Sequence, residues 1–198
     1  MSELNKQLKT DNSMRPFDVP TKDGVNEQNQ KIFDDLESKL GFVPNIYATY
    51  ALSDNAPARY LTFANGKTSI NNKEKEVINL VVSQVNGCVY CQAAHTQLGK
   101  MNGFTEEQTV ELRQGKAGFD EKLDALVKLT KEIAENSGVI SDEVLQAFFD
   151  AGYTKENLVD VILNIGEKAT TNLLHNVTQV PVDFPEAPVL EETEPQTV

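Results

Sequence analysis

Asn86-Gly87 separates two stretches of helical patterning and obliges the chain to turn between them. Before it, Asn72 to Asn86 reads as a helix with Val77, Ile78, Val81, Val82 and Val85 on one apolar face and Ser69 as its N-cap. After it, Cys88 falls in the first turn of a helix running to roughly Met101. If the two arms fold back on each other, Glu76 lies about 15 Å up one and His95 about 10 Å up the other, so their side chains can meet. Glu74 is rotated about 200° from Glu76 on the same helix. It reads as a solvated first-turn glutamate complementing the helix dipole.

The second arm carries the chemistry. The chain has two cysteines and two histidines, and three of these side chains, Cys88, Cys91 and His95, fall between positions 88 and 95. Cys88 and Cys91 are one turn apart, and His95 projects about 40° around the axis from Cys91, so all three share a face. Free N–H groups at the helix start favour a thiolate, and an imidazole able to take the proton lowers the thiol pKa further. The dipole favours Cys88, whereas the base one turn on favours Cys91. Cys91 is the expected nucleophile, because a base can also return a proton to a leaving oxygen. Cys88 is then the resolving thiol. A carboxylate from Glu76 on the far nitrogen of His95 would fix its tautomer and raise its basicity.

Other uses of the cluster compete with this one. Cys88, Cys91 and His95 could be three zinc ligands with His175 as a candidate fourth, giving a non-catalytic or redox-sensing module. Structural zinc sites usually draw two ligand pairs from loops, and the second pair is missing here. A permanent disulfide across a two-residue spacer closes a tiny loop and contributes little entropic stabilisation. Inert buried thiols would leave His95 without a purpose.

The segment Ser69 to Gly103, with Lys73-Glu74-Lys75-Glu76-Val77-Ile78, Ser83, Cys88-Val-Tyr-Cys91, His95 and Gly99, resembles the alkylhydroperoxidase D and carboxymuconolactone decarboxylase superfamily. Gly41-Phe-Val-Pro-Asn45 and Val182-Asp-Phe-Pro185 are similar to its peroxidase-related branch, extending the resemblance from about Phe17 to Pro188. The resemblance implies an all-α helical bundle and a thiol peroxidase or disulfide oxidoreductase, an antioxidant enzyme that needs no cofactor or metal. By motif position it implies that Cys91 attacks peroxide, Cys88 resolves the sulfenic acid, His95 relays the proton and Glu76 orients it. Tyr90 stands where the best-known member has a relay histidine, and a phenol does not titrate near neutrality. Decarboxylases of the superfamily lack the cysteine pair, which argues against lactone decarboxylation.

With 198 residues and 39% apolar content, the chain suffices for one core, expected over residues 16–190 between disordered tails at 1–15 and 191–198. Its formal charge of −12, with no basic stripe, excludes nucleic acid and anionic membrane surfaces as partners. No apolar run approaches a membrane span, and Met1 to Arg15 has no leader-like core, so a cytoplasmic location is expected. The expected partners are a hydroperoxide, a thiol or dithiol reductant and further copies of the chain.

The remaining sequence reads as helices. Val25 to Leu40 places Ile32, Leu36 and Leu40 on one stripe, and Asn55-Ala-Pro57 opens the next helix. Thr105 with Gln108 forms a capping box, and Asp120, Ser141 and Thr154 begin three more helices. Tyr60, Phe63, Phe148 and Phe149 read as packing residues, His175 as a capping or packing histidine near a helix C-terminus, where positive charge is favoured, and Asp34-Asp35 and Glu106-Glu107 as solvated faces.

Overall fold

The computed structural model describes residues 15–190. Among them are a 3₁₀ turn, nine α-helices and no strand, as the all-α reading expects: α1 (Glu27–Leu40), α2 (Asn45–Tyr50), α3 (Ala56–Ala64), α4 (Asn72–Val85), α5 (Val89–Met101), α6 (Glu106–Arg113), α7 (Glu121–Glu135), α8 (Asp142–Asp150) and α9 (Lys155–Thr178). The tails expected at 1–15 and 191–198 lie outside the described residues, Arg15 excepted. None of the described helices is long and apolar enough to cross a membrane.

The molecule is built around α4. Val77, Ile78, Leu80 and Val82 are fully enclosed, and Val81 nearly so, giving a helix buried well beyond one face. It packs against α5, α7 and α9, where Leu126, Leu129, Phe148 and Val161 complete an apolar core. Each such side chain contributes about 1.5–3 kcal/mol by leaving water. A second, smaller cluster of Ile46, Cys88, Tyr90, Cys91, Ala94 and Val180 lies where α5 meets α2 and the chain after α9. The cysteines thus sit in packed interior beside the main core.

Helix starts follow local chemistry. Thr105 and Gln108 form the expected capping box, Asp120 and Ser141 cap α7 and α8, and Thr154 pairs with Asn157 in a second box. The start of α4 departs from expectation. Asn71 is its N-cap: its side chain accepts from Glu74 N at 2.9 Å while Glu74 Oε2 accepts from Asn71 N at 2.9 Å. Ser69 instead donates its hydroxyl to Asp160 Oδ2 at 2.6 Å and accepts from Asn157 Nδ2 at 2.9 Å, tying α4's entry to α9. Glu74 is buried, not solvated, and pairs with Lys122 Nζ at 3.3 Å. In α1 the enclosed apolar residue is Phe33, while Ile32 and Leu36 are half-buried and Leu40 exposed. The helix starts at Glu27 behind the Asn26 cap, two residues later than the apolar pattern alone implies.

The box at Asn71 should be measurable. Asn71→Ala is expected to lower unfolding stability by about 0.5–2 kcal/mol in urea titration. An unchanged midpoint would mean that the box contributes nothing.

Candidate active site

The turn at Asn86-Gly87 is made as the sequence anticipates, with Gly87 at φ 63°, a conformation that costs a side-chain-bearing residue steric energy. Cys88 N then donates to Ser83 O at 3.0 Å, returning the chain against α4. Cys88 is the N-cap of α5, and its sulfur accepts from Cys91 N at 3.3 Å, so the thiol occupies the site usually taken by a serine or aspartate oxygen. Both cysteines are buried and free. Further along α5, Gly99 admits α6: a Cβ there would lie 3.3 Å from Thr109 and 3.6 Å from Leu80.

Across the hairpin, Glu76 Oε2 lies 2.8 Å from His95 Nδ1, and both side chains are about nine-tenths buried. A carboxylate only accepts, so Nδ1 carries the proton and a neutral ring keeps its lone pair on Nε2. The other oxygen of Glu76 accepts from Asn79 Nδ2 at 3.3 Å, and Asn79 Oδ1 from Asn164 Nδ2 at 2.9 Å. The carboxylate is therefore held from α9 as well as from α4.

A cavity of about 280 Å³ opens over this pair, and Cys91 and His95 both line it while Cys88 does not. Six aromatic side chains line it, Phe42, Tyr47, Tyr50, Tyr60, Tyr90 and Phe184. A larger surface cleft of about 900 Å³, beside Arg113 and Pro188, includes neither cysteine. On the α9 side the cavity is closed by Lys168 and Thr171. The hydroxyl of Thr171 donates to Tyr60 Oη at 2.8 Å and lies 3.2 Å from Tyr50 Oη, while Tyr60 donates to Glu167 Oε1. Lys168 is buried, with Glu167 Oε1 at 3.7 Å.

These surroundings divide the two sulfurs. The hydrogen bond between the thiols holds Cys91 below the ordinary thiol value; burial opposes this, and the Lys168 charge and the Asn172 side chain support it. The same bond, reinforced by burial, pushes Cys88 far above that value. Burial acts to lower Lys168, but Glu167, Cys91, Tyr47 and Glu76 outweigh it and the ammonium is held firmly charged. Burial raises Tyr47, Tyr50 and Tyr60, so the phenols around the cavity stay neutral.

Tyr90 fixes the architecture. Its hydroxyl donates to Asp183 Oδ1 at 2.5 Å and accepts from Ile46 N at 3.3 Å, while Asp183 Oδ2 accepts from Asn45 N at 2.7 Å. Phe184 meets the Tyr90 ring edge-on at 5.7 Å and the Phe42 ring at 5.5 Å. The two flanking motifs around positions 41–45 and 182–185 thus converge on the tyrosine between the cysteines. Burial, with Asp183 adding to it, raises the phenol, which acts as a fixed donor. Removing that donor with Tyr90→Phe should cost about 1–3 kcal/mol in urea unfolding. A midpoint equal to the parent's would mean the latch holds nothing.

His175 does not join the cysteines. Its Nε2 lies 3.2 Å from Val180 O and its ring packs on Tyr90 at 5.3 Å. These contacts fit a packing histidine near the helix end, and burial lowers its pKa, so the positive charge offered as its reason is disfavoured. Among the described residues no three His, Cys, Asp or Glu side chains converge as a metal site requires. Sequence reasoning missed Tyr60, read there as packing, and the α9 stripe Lys168, Thr171 and Asn172. Their i, i+3, i+4 spacing, continued by His175, is a polar line on a buried helix face and was the available signal.

Residues 54–132 match the carboxymuconolactone decarboxylase family. A comparison with curated proteins finds no match. Among solved structures, an alkylhydroperoxidase AhpD core, an uncharacterized peroxidase-related protein from Ralstonia eutropha JMP134, superimposes with a TM-score of 0.78 at 17% identity, over 87% of this chain and 94% of that one. An uncharacterized peroxidase-related protein from Silicibacter sp. TM1040 gives 0.72 at 20% identity, over 87% and 93%. A cysteine-to-alanine variant of the debrominase Bmp8, in complex with 2,3,4-tribromopyrrole, gives 0.70 at 15% identity, over 88% and 93%. At these identities the likeness is one of fold. The family match spans the turn, both cysteines and His95, and the helical fold is shared along nearly the whole chain.

Proposed function

We propose that the protein is a dithiol oxidoreductase that reduces hydroperoxides. The observation that carries this reading is that Cys91, and not Cys88, lines the cavity together with the Glu76-bonded His95. The Cys91 thiolate attacks the terminal peroxide oxygen and the O–O bond breaks. His95, having taken the Cys91 thiol proton on Nε2, returns it to the leaving alcohol, and Cys91 becomes a sulfenic acid. Cys88, one turn away, attacks that sulfur and expels water, so the pair ends as a disulfide and the peroxide has gained two electrons. An external thiol or dithiol restores the pair. Such cycling suits a reducing cytoplasm, which we take as the location.

A second reading is favoured by the aromatic walls. The fold is shared with a debrominase whose complex holds a brominated pyrrole. A dithiol can also reduce an aryl halide, giving arene, hydrogen halide and the same disulfide. Halide release without peroxide consumption would select this reading.

We also propose that the chain self-associates. Val159, Ile162, Leu163, Leu173 and Val177 are each at least half exposed along the outer side of α9. A sedimenting mass of one chain at micromolar concentration would remove this proposal.

Mild peroxide is expected to remove two hydrogens from the reduced chain and block alkylation of both cysteines. In Cys88→Ser a trappable sulfenic acid should form at Cys91, and in Cys91→Ser none at Cys88. An unchanged mass with both thiols still alkylatable would end the redox reading, and the opposite labelling would exchange the two roles. Glu76→Gln should slow peroxide reduction roughly ten- to a thousandfold on folded protein, the scale of a lost acid/base contribution. A parental rate would detach the carboxylate from the chemistry.

A further inference from the structure

On α9, Lys168, Thr171, Asn172 and His175 occupy the buried face at i, i+3, i+4 and i+7. Asn172, fully enclosed, donates to Ser83 Oγ at 3.3 Å, and its side chain favours the anionic form of both thiols. Lys168 is one turn before it on the same face and lines the cavity that exposes Cys91. Among the described residues, the ammonium's ionic neighbour is Glu167 at 3.7 Å, too long for a direct hydrogen bond of ordinary strength. A buried ammonium with three donors and one distant carboxylate has electrostatic capacity left for a further anion.

From this juxtaposition of α9 and α5 we infer that Lys168 is the counter-cation of the Cys91 thiolate, a positioning residue that keeps the nucleophile ionised before any substrate arrives. The inference rests on the reading of Cys91 as the attacking sulfur. The anion it serves is the sulfur and not a charged substrate. Glu167 and Glu76 already face Lys168 and His95, so the thiolate takes the cluster to a negative balance and a second anion would be repelled. Apart from Lys39, Gln97 and Thr171, the rest of the lining is apolar or neutral phenol, with Tyr47, Tyr50 and Tyr60 all held protonated by burial. Cys88 contributes a protonated thiol and no charge. The substrate that fits is thus a neutral, apolar molecule presented to an already charged sulfur.

The residue beside Lys168 gives the inference its opposite control. Glu167 is repulsive toward the thiolate and attractive toward the ammonium, so removing either charge should move the thiol in opposite directions. The reduced full-length chain is treated with iodoacetamide across pH, and modification of Cys91 is followed by peptide mass spectrometry. Lys168→Met should raise the midpoint by about one pH unit and slow Cys91 alkylation at pH 7 about tenfold. Glu167→Gln should lower the midpoint. A parental midpoint in Lys168→Met, or a shift of both variants in the same direction, would overturn the inference. If Lys168→Met does not fold, Glu167→Gln decides alone, a fall supporting the counter-cation and no change refuting it. Alkylation reports the thiolate without using peroxide, so a chain inactive on peroxide but showing the opposed shifts loses the proposed substrate and keeps Lys168's role.

Discussion

The hairpin of α4 and α5 depends on a carboxylate carried into the most deeply buried helix of the core. Glu76 sits among Val77, Ile78, Leu80 and Val81, where an isolated charge would cost several kcal/mol. It is tolerated because His95 and Asn79 occupy both its oxygens. The same contact helps to fix where α5 runs, together with the bonds from Cys88 N and Gln92 Nε2 to Ser83 O. Once α5 is set, Cys91 faces the cavity and Cys88 faces the interior. Sulfur geometry is therefore a consequence of satisfying a buried carboxylate.

The second organising element is the polar line on α9. A 24-residue helix packed along α4 could have been apolar throughout its inner face, yet it presents Asn164, Lys168, Thr171, Asn172 and His175. Each but the last reaches across to a group of the site: Asn79, the cavity, Tyr60 or the thiols. Tyr50, Thr171, Tyr60 and Glu167 form a run of hydrogen bonds ending on a carboxylate, with Glu167 beside Lys168, while burial keeps the phenols neutral. The hydrogen bonds of Asn164, Thr171 and Asn172 help to align α9 against α4 and α3, and α9 also packs on α2 and α5.

What could be read from sequence was local. The turn, the shared face of Cys88, Cys91 and His95, and the starts at Thr105, Asp120, Ser141 and Thr154 follow from spacings of a few residues. The meeting of Glu76 with His95 was also legible, because it needs only rise per residue and one reversal. Ser69 illustrates the limit. It has the right residue type for an N-cap, but Asp160 and Asn157, some ninety residues on, take its hydrogen bonds and leave the cap to Asn71. Glu74 was misread for the same reason, since Lys122 and the packing that buries it come from α7. Tyr60 and Lys168 acquire their roles only when α9 returns against α3.

The contest between helix dipole and neighbouring base is resolved by access as much as by electrostatics. Cys88 occupies the N-cap, where the dipole acts most strongly, but it accepts a backbone N–H and is completely enclosed. Ionising it would place a charge where no substrate can reach and no cation faces it. Cys91 receives less from the helix start and more from its surroundings: the bond with Cys88, the Asn172 side chain and the Lys168 charge all favour the anion against burial. In the proposed cycle the protonated partner that stabilises Cys91 is also the thiol that would attack it once oxidised, so the interaction between the two sulfurs would serve both roles while leaving the proton on the enclosed one.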